Sequence, residues 1–345
     1  MATRKVQLLL NQLIRDLKEN NFAYQPKPEK EIDWSSYNAA KINEINFYLE
    51  FVREAVESAA LGKQGGGMMG RPPHDALGLA KVLLMQTYFQ VAERQASGLA
   101  LLFREKLGLG KVPSPRTIGR AYKRGDVRRI LGAVFEATKV PMEGKETSFS
   151  ADATGLPLSI KQNYANDREN RGKHAGYDKM GVMVGNNCHI ATAFAHAEGT
   201  AGDSPMLKPL LDETSKCFDM HEIQLDAGFL SRENCTLATK AGATPYIYPK
   251  QGITINAKGS FSWKKMLLAL IKDPQGWMRL YHARSNSECY FSAHKRRFAQ
   301  PLRKKGRALR GVEAFCRVIG LNICMLISAY FEGAAEVKEF NHSYL

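Results

Sequence analysis

The sequence predicts an α/β protein: a mixed sheet flanked by helices, preceded by an all-helical N-terminal region. Three observations carry this. Helical periodicity and helix-start signals fill about the first 140 residues. The texture then switches to three consecutive strand-like segments. After them helices and strands alternate, the order expected of a sheet with helices on its faces. In the helical region, 4–18 and 37–61 are periodic, with Ile42, Ile45, Leu49, Val52 and Val56 recurring at three- and four-residue steps. The run 65–73 (GGGMMGRPP) breaks the pattern and marks a boundary. Segments 75–92 and 96–107 read as amphipathic helices, and the apolar stripe at 75–91 is core. Ser114-Pro115 supplies a cap and a first-turn proline for a helix over 116–123, and another runs on to about Thr138. Strands follow at 148–153, 179–184 and 190–195, then a helix from Ser204-Pro205 to about Lys216. A strand at 221–226, a helix at 231–241 and a short strand at 244–249 come next. The stretch 250–276 is ambiguous, and 279–297 reads as one long helix.

Composition narrows the class. The chain has 345 residues, enough for one large domain or two ordinary ones, and is 44% hydrophobic and 24% charged, as folded globular proteins are. The apolar run 316–330 is interrupted by Arg317 and Asn322 and suits a buried helix better than a membrane span; no secretory signal is apparent. Six cysteines without a Cys-x-x-Cys pair argue against a zinc knuckle and a disulfide framework, and for a reducing cytoplasm. Lys and Arg outnumber Asp and Glu by 49 to 34, for a net charge of +15. The positive charge concentrates at 116–129 and 295–310, which favours a polyanionic partner over an evenly basic surface.

Three acids stand out. Asp152 (SADATGL) and Asp226 (IQLDAGF) each sit where an apolar strand meets its loop, with Gly228 placed to let the second chain turn. An acid there is costly to shield and calls for a partner, a metal being one candidate. The third, Glu288, lies in YHARSNSECYFSAHK, where Tyr281, Arg284, Glu288 and Lys295 form Y-x2-R-x3-E-x6-K. On a continuous helix these positions fall within roughly 60° of arc, presenting a carboxylate between two cations and a phenol. Phosphoryl transfer with two divalent cations about 3.5–4 Å apart needs such convergent carboxylates. The plain alternative is a solvated face with an i,i+4 pair between Arg284 and Glu288.

With these blocks in order, the chain resembles the DDE transposases of bacterial and archaeal insertion sequences, in the branch marked by a Tyr-Arg-Glu-Lys helix. The resemblance covers roughly residues 70–330: GRPPHDALGLAKVLLMQTYFQVAERQ and KVPSPRTIGR in the helical region, SADATGL, FAHAEGTAGDSPMLKPLL, LDAGFLSREN, and YHARSNSECYFSAHK. It implies a ribonuclease H-like catalytic domain and two Mg2+ ions, with Mn2+ as a substitute, held by Asp152, Asp226 and Glu288 as the catalytic residues. Tyr281, Arg284 and Lys295 would contact phosphates at the transposon end. The implied partner is double-stranded DNA, both terminal inverted repeats and target, engaged by a dimer in the cytoplasm at the nucleoid, with no membrane. The implied reaction is cut-and-paste transposition of an insertion sequence.

The organisation expected is an N-terminal helical segment (1–64), a helical DNA-binding region (65–145), a catalytic domain (146–332) with a short insertion at about 250–276, and a C-terminal tail (333–345). Arg116, Arg120 and Lys123 would share one face of a recognition helix, or of a merely solvated one. The basic loop 161–174 is a second candidate contact. Asp203 is expected to cap the helix at Ser204, and Trp263 to be core rather than a base-stacking wedge. His174, His189, His196 and His294 lack zinc-type spacing. Two other readings remain: an inactive or domesticated transposase acting as a DNA-binding protein, and a cellular metal-dependent nuclease, which would lack the Tyr-Arg-Glu-Lys helix.

Overall fold

Helix starts in this chain are written locally, and the computed structural model honours them. It describes residues 2–19, 31–59, 74–158, 176–338 and 340; the breaker run 65–73, the basic loop 161–174 with His174, and residues 339 and 341–345 of the tail lie outside these. The helices are α1 (Ala2–Lys18), α2 (Trp34–Ser58), α3 (Ala76–Phe89), α4 (Glu93–Leu102), α5 (Pro115–Ala121) and α6 (Gly125–Ala137) before the sheet. After and within it come α7 (Leu207–Thr214), α8 (Arg232–Lys240), α9 (Phe261–Lys272), α10 (Pro274–Tyr281), α11 (Ser285–Arg297) and α12 (Arg307–Phe331). Ser114 accepts from the Thr117 N–H with Pro115 in the first turn, and Ser231 and Ser260 cap α8 and α9 in the same way. The helix expected over 96–107 is α4: it starts three residues earlier and ends at Leu102.

Five strands form one sheet: β1 (Ser148–Pro157), β2 (Tyr177–Gly185), β3 (Ala191–Glu198), β4 (Glu222–Leu225) and β5 (Thr244–Ile247), in the order β3-β2-β1-β4-β5. β4 is parallel to both β1 and β5. β2 runs against β1, since the Asn186 N–H at its end bonds the Ser148 carbonyl at the start of β1 (3.0 Å). The five-residue link from β2 to β3 is too short for a parallel crossover, so the sheet is mixed.

Packing divides the chain into two compact units of discontinuous segments. The first comprises Met1–Glu31, Glu143–Gly155 and Lys179–Ala293. Its core lies on the sheet: Phe149 packs edge-on against Phe218, and Ile223, Leu225, Ile247 and Leu267 are buried. Here α1 docks on the 250–256 segment, where Gln7 donates to the Ile253 carbonyl and accepts from the Ile255 N–H. The second unit comprises Ile32–Met142, Leu156–Asp178 and His294–Leu345. At its centre is α12, whose composition and length would allow a membrane span but whose apolar stretch is mostly buried against α2, α3 and α6. The two polar residues that interrupt it are satisfied there. Arg317 donates to the Gln300 and Pro301 carbonyls and pairs with Glu313, and Asn322 donates to Thr138 Oγ1 at 3.0 Å. Cys235, Cys316 and Cys324 are buried thiols.

Candidate active site

Phe149, Ser150 and Ala151 of β1 are all buried, and strand alternation puts Ser150 and Asp152 on the face opposite Phe149 and Ala151. The parallel register pairs Ala151 with Leu225, so Asp152 and Asp226 each follow the last registered pair; Asp226 leaves the end of β4, whereas Asp152 lies within β1, which runs on to Pro157 instead of ending near 153 as expected. Asp226 opens a 3-10 turn, Ala227–Phe229. Asn234 on α8 fixes that turn, donating to the Phe229 carbonyl (2.7 Å) and to Ser204 Oγ (2.9 Å).

The long helix expected over 279–297 is broken. α10 ends at Tyr281, His282–Arg284 form a 3-10 turn, and α11 begins at Ser285. Pro274 starts the first piece within the interval left ambiguous, and hydroxyls occupy carbonyls at the break: Ser150 Oγ donates to Ala283 O (3.0 Å) and Ser287 Oγ to Arg284 O (2.8 Å). The break leaves Arg284 between two of the acids. Its Nη1 lies 4.0 Å from Asp152 Oδ2, and its Nη2 donates to Glu288 Oε1. The i,i+4 pair of the plain reading is therefore formed, and it is joined to Asp152.

Burial pushes the Asp152 carboxyl up to about 6; the Ala153 N–H and Arg284 oppose this, and the charges of Asp226 and Asp203 add to it. Tyr281 is buried and stacked on Trp277 (5.4 Å between centroids), next to Tyr248, and burial raises its phenol well above the usual range. Among the described residues, no group of three His, Cys, Asp or Glu side chains converges closely enough to hold an ion.

One expectation is corrected here and another refined. Asp203 does not cap the following turn with its side chain; it pairs with Lys179 Nζ at 2.8 Å. Gly228 lies in the turn Ala227–Phe229 as expected, without a left-handed backbone, and a Cβ there would come within 3.1 Å of Asp203 Oδ2. Sequence reasoning thus missed Asp203 and Lys179 as neighbours of the acids, because a Ser-Pro helix start explained Asp203 too readily.

The remaining candidates lie in the second unit. Arg116, Arg120 and Lys123 are exposed on and just after α5, and Lys295 is exposed on α11. Trp263 is buried in α9 as expected.

Residues 134–326 match the family model for the transposase DDE domain, more than half of the chain. The chain is also similar to a protein of Archaeoglobus fulgidus described as a probable transposase for insertion sequence element ISA1214. The two are 27% identical over 267 residues, 77% of this chain and 79% of that protein.

Proposed function

The chain belongs to the transposase DDE domain family, and from that premise we propose that it is a DNA transposase performing metal-dependent cleavage at transposon ends and strand transfer into target DNA. One observation carries the reading: two acids follow the last registered pair of adjacent parallel strands, and Arg284 ties the third to the first. The strand order, with β1, β4 and β5 parallel and β2 reversed, supports a ribonuclease H-like catalytic domain.

The donor set suits a hard divalent cation, being carboxylate oxygen throughout. Asp152, Asp226 and Glu288 would hold two Mg2+ ions, or Mn2+, with Glu288 exchanging its bond to Arg284 for the ion. The buried Asp152 carboxyl, raised to about 6, would be drawn back to its ionised form by an adjacent cation. When bound, the ions supply Lewis-acid activation of water and stabilisation of the leaving oxygen. Arg284, once released, and Lys295 would grip phosphates of the transposon end, Arg as a fork and Lys as a point charge. Tyr281 is the third end contact in this reading. Water cleaves a phosphodiester to a 5′-phosphate and a 3′-hydroxyl. That hydroxyl attacks a target phosphodiester in line, forming one new P–O bond as one breaks, with no covalent enzyme intermediate. A dimer would pair two ends, in the cytoplasm at the nucleoid.

The test is cleavage of end-containing DNA. Asp152→Asn, Asp226→Asn and Glu288→Gln should each abolish cutting and leave DNA binding intact. Full activity in any one variant removes that residue from the site, and an inert wild type that still binds DNA favours the inactive DNA-binding reading.

A further inference from the structure

The residues two positions before Asp152 and Asp226 are polar, buried, and joined through a single amide. Ser150 precedes Asp152 on β1 and Gln224 precedes Asp226 on β4; the register sets them side by side, and both are fully buried. Strand alternation puts each on the same face as its acid. Asn186, in the β2–β3 turn, meets both. Its Oδ1 accepts from Ser150 Oγ (2.7 Å), and its Nδ2 donates to Ser148 Oγ (2.8 Å) and Gln224 Oε1 (2.9 Å).

The same residue reaches the third acid's segment. Asn286 Nδ2 lies 3.2 Å from Asn186 Oδ1 and 3.3 Å from Asn186 O, and the Ser150 hydroxyl is shared with the Ala283 carbonyl. Ala283 and Asn286 flank Arg284 along the chain, and Asn286 lies two residues before Glu288. Side chains from β1, β4, the β2–β3 turn and α11 thus complete one another's hydrogen bonds away from water. A shift of α11 along the sheet would leave several buried polar groups without partners, so the network favours one register.

We propose that Asn186 is a positioning residue that sets Arg284 and Glu288 over Asp152 and Asp226, so that the three carboxylates can serve the same ions. This rests on the reading of those acids as one ion-binding set, and the experiment separates the two. Mn2+ binding to the full chain without DNA is measured by electron paramagnetic resonance for the wild type, Asp152→Asn, Asn186→Ala and Asn286→Ala. Alanine is the best helix former, so Asn286→Ala tests the link even if Asn186→Ala fails to fold. Asp152→Asn should abolish binding at the site, and the two Asn variants should weaken it about 10- to 100-fold, as loss of supporting partners does at metal sites. Excess Mn2+ should also restore end cleavage by Asn286→Ala, which it could not do for a misfolded protein. Wild-type Mn2+ affinity in the folded Asn variants, with binding lost in Asp152→Asn, overturns the positioning role and leaves the site standing. Cleavage by Asn286→Ala that excess Mn2+ does not repair also overturns it. Undiminished Mn2+ binding by Asp152→Asn overturns the ion-binding reading itself.

Discussion

Just ahead of β1, Glu146 is buried beneath the β2–β3 turn, where its Oε1 accepts from the N–H groups of Asn187 (2.9 Å) and Cys188 (2.7 Å). Its other oxygen has no hydrogen-bond partner among the described residues, and burial outweighs the backbone bonds, pushing the carboxyl up to about 7 from an ordinary 4.5. The folded pKa is raised, so the folded state keeps a proton that the unfolded chain has given up. Stability therefore falls as pH rises between about 4.5 and 7, and is level above that window. Glu146→Gln, which is always neutral, should gain on the wild type from pH 5 to pH 8, by up to about 3 kcal/mol. Urea midpoints at the two pH values measure this; a gap that does not widen would show that the buried carboxyl ionises without cost. At this scale the acids were legible in the sequence because an Asp after an apolar strand is conspicuous. Ser150 and Gln224 were not, since a polar residue along a strand reads equally well as a solvated face, and Asn186 was not, since an asparagine in a turn reads as solvated.

Among elements, the interval 250–276 turned on two caps, Ser260 before α9 and Asp273 before α10. Ser260 accepts from the Trp263 N–H and opens α9, while Trp263 Nε1 donates to the Thr254 carbonyl at 2.8 Å and Arg232 lies over the indole at 4.7 Å. The tryptophan thus closes the 254–260 loop onto its own helix. Trp263→Ala should cost about 3–5 kcal/mol and Trp263→Phe about 1–2, the latter leaving one carbonyl unpaired. Folded Trp263→Phe should keep end cleavage within about threefold of wild type, because the ring is held in the core. Loss of cleavage at undiminished stability would instead make it a base-stacking wedge. The break between α10 and α11 belongs to the same scale. Periodicity runs through it unaltered, and only hydroxyls from β1 and from Ser287 reveal which carbonyls leave the helical ladder.

For the molecule as a whole, the net charge of +15 predicts binding to DNA that weakens steeply with salt. Arg116, Arg120 and Lys123 are exposed together on and just after a helix opened by Ser114 and Pro115. If they contact phosphates, replacing all three with alanine should make the slope of log K against log salt shallower by about 2–3. Anisotropy titrations of labelled end DNA across a salt series would show it. An unchanged slope would take this face out of the DNA interface.

By itself the sequence determined the elements whose signals are local: the capped helices, the strands, and the buried helix over the apolar run 316–330. It also determined the family, because ordered blocks outlast the divergence of the residues between them. Only the tertiary structure decided that Arg284 is shared between Asp152 and Glu288, that Asp203 turns to Lys179, and that Asn186 links three separate segments. The reason is physical. A cap or a strand is settled by neighbours within a few residues, whereas the partner of a buried polar group is whichever side chain the fold brings within 3 Å or so.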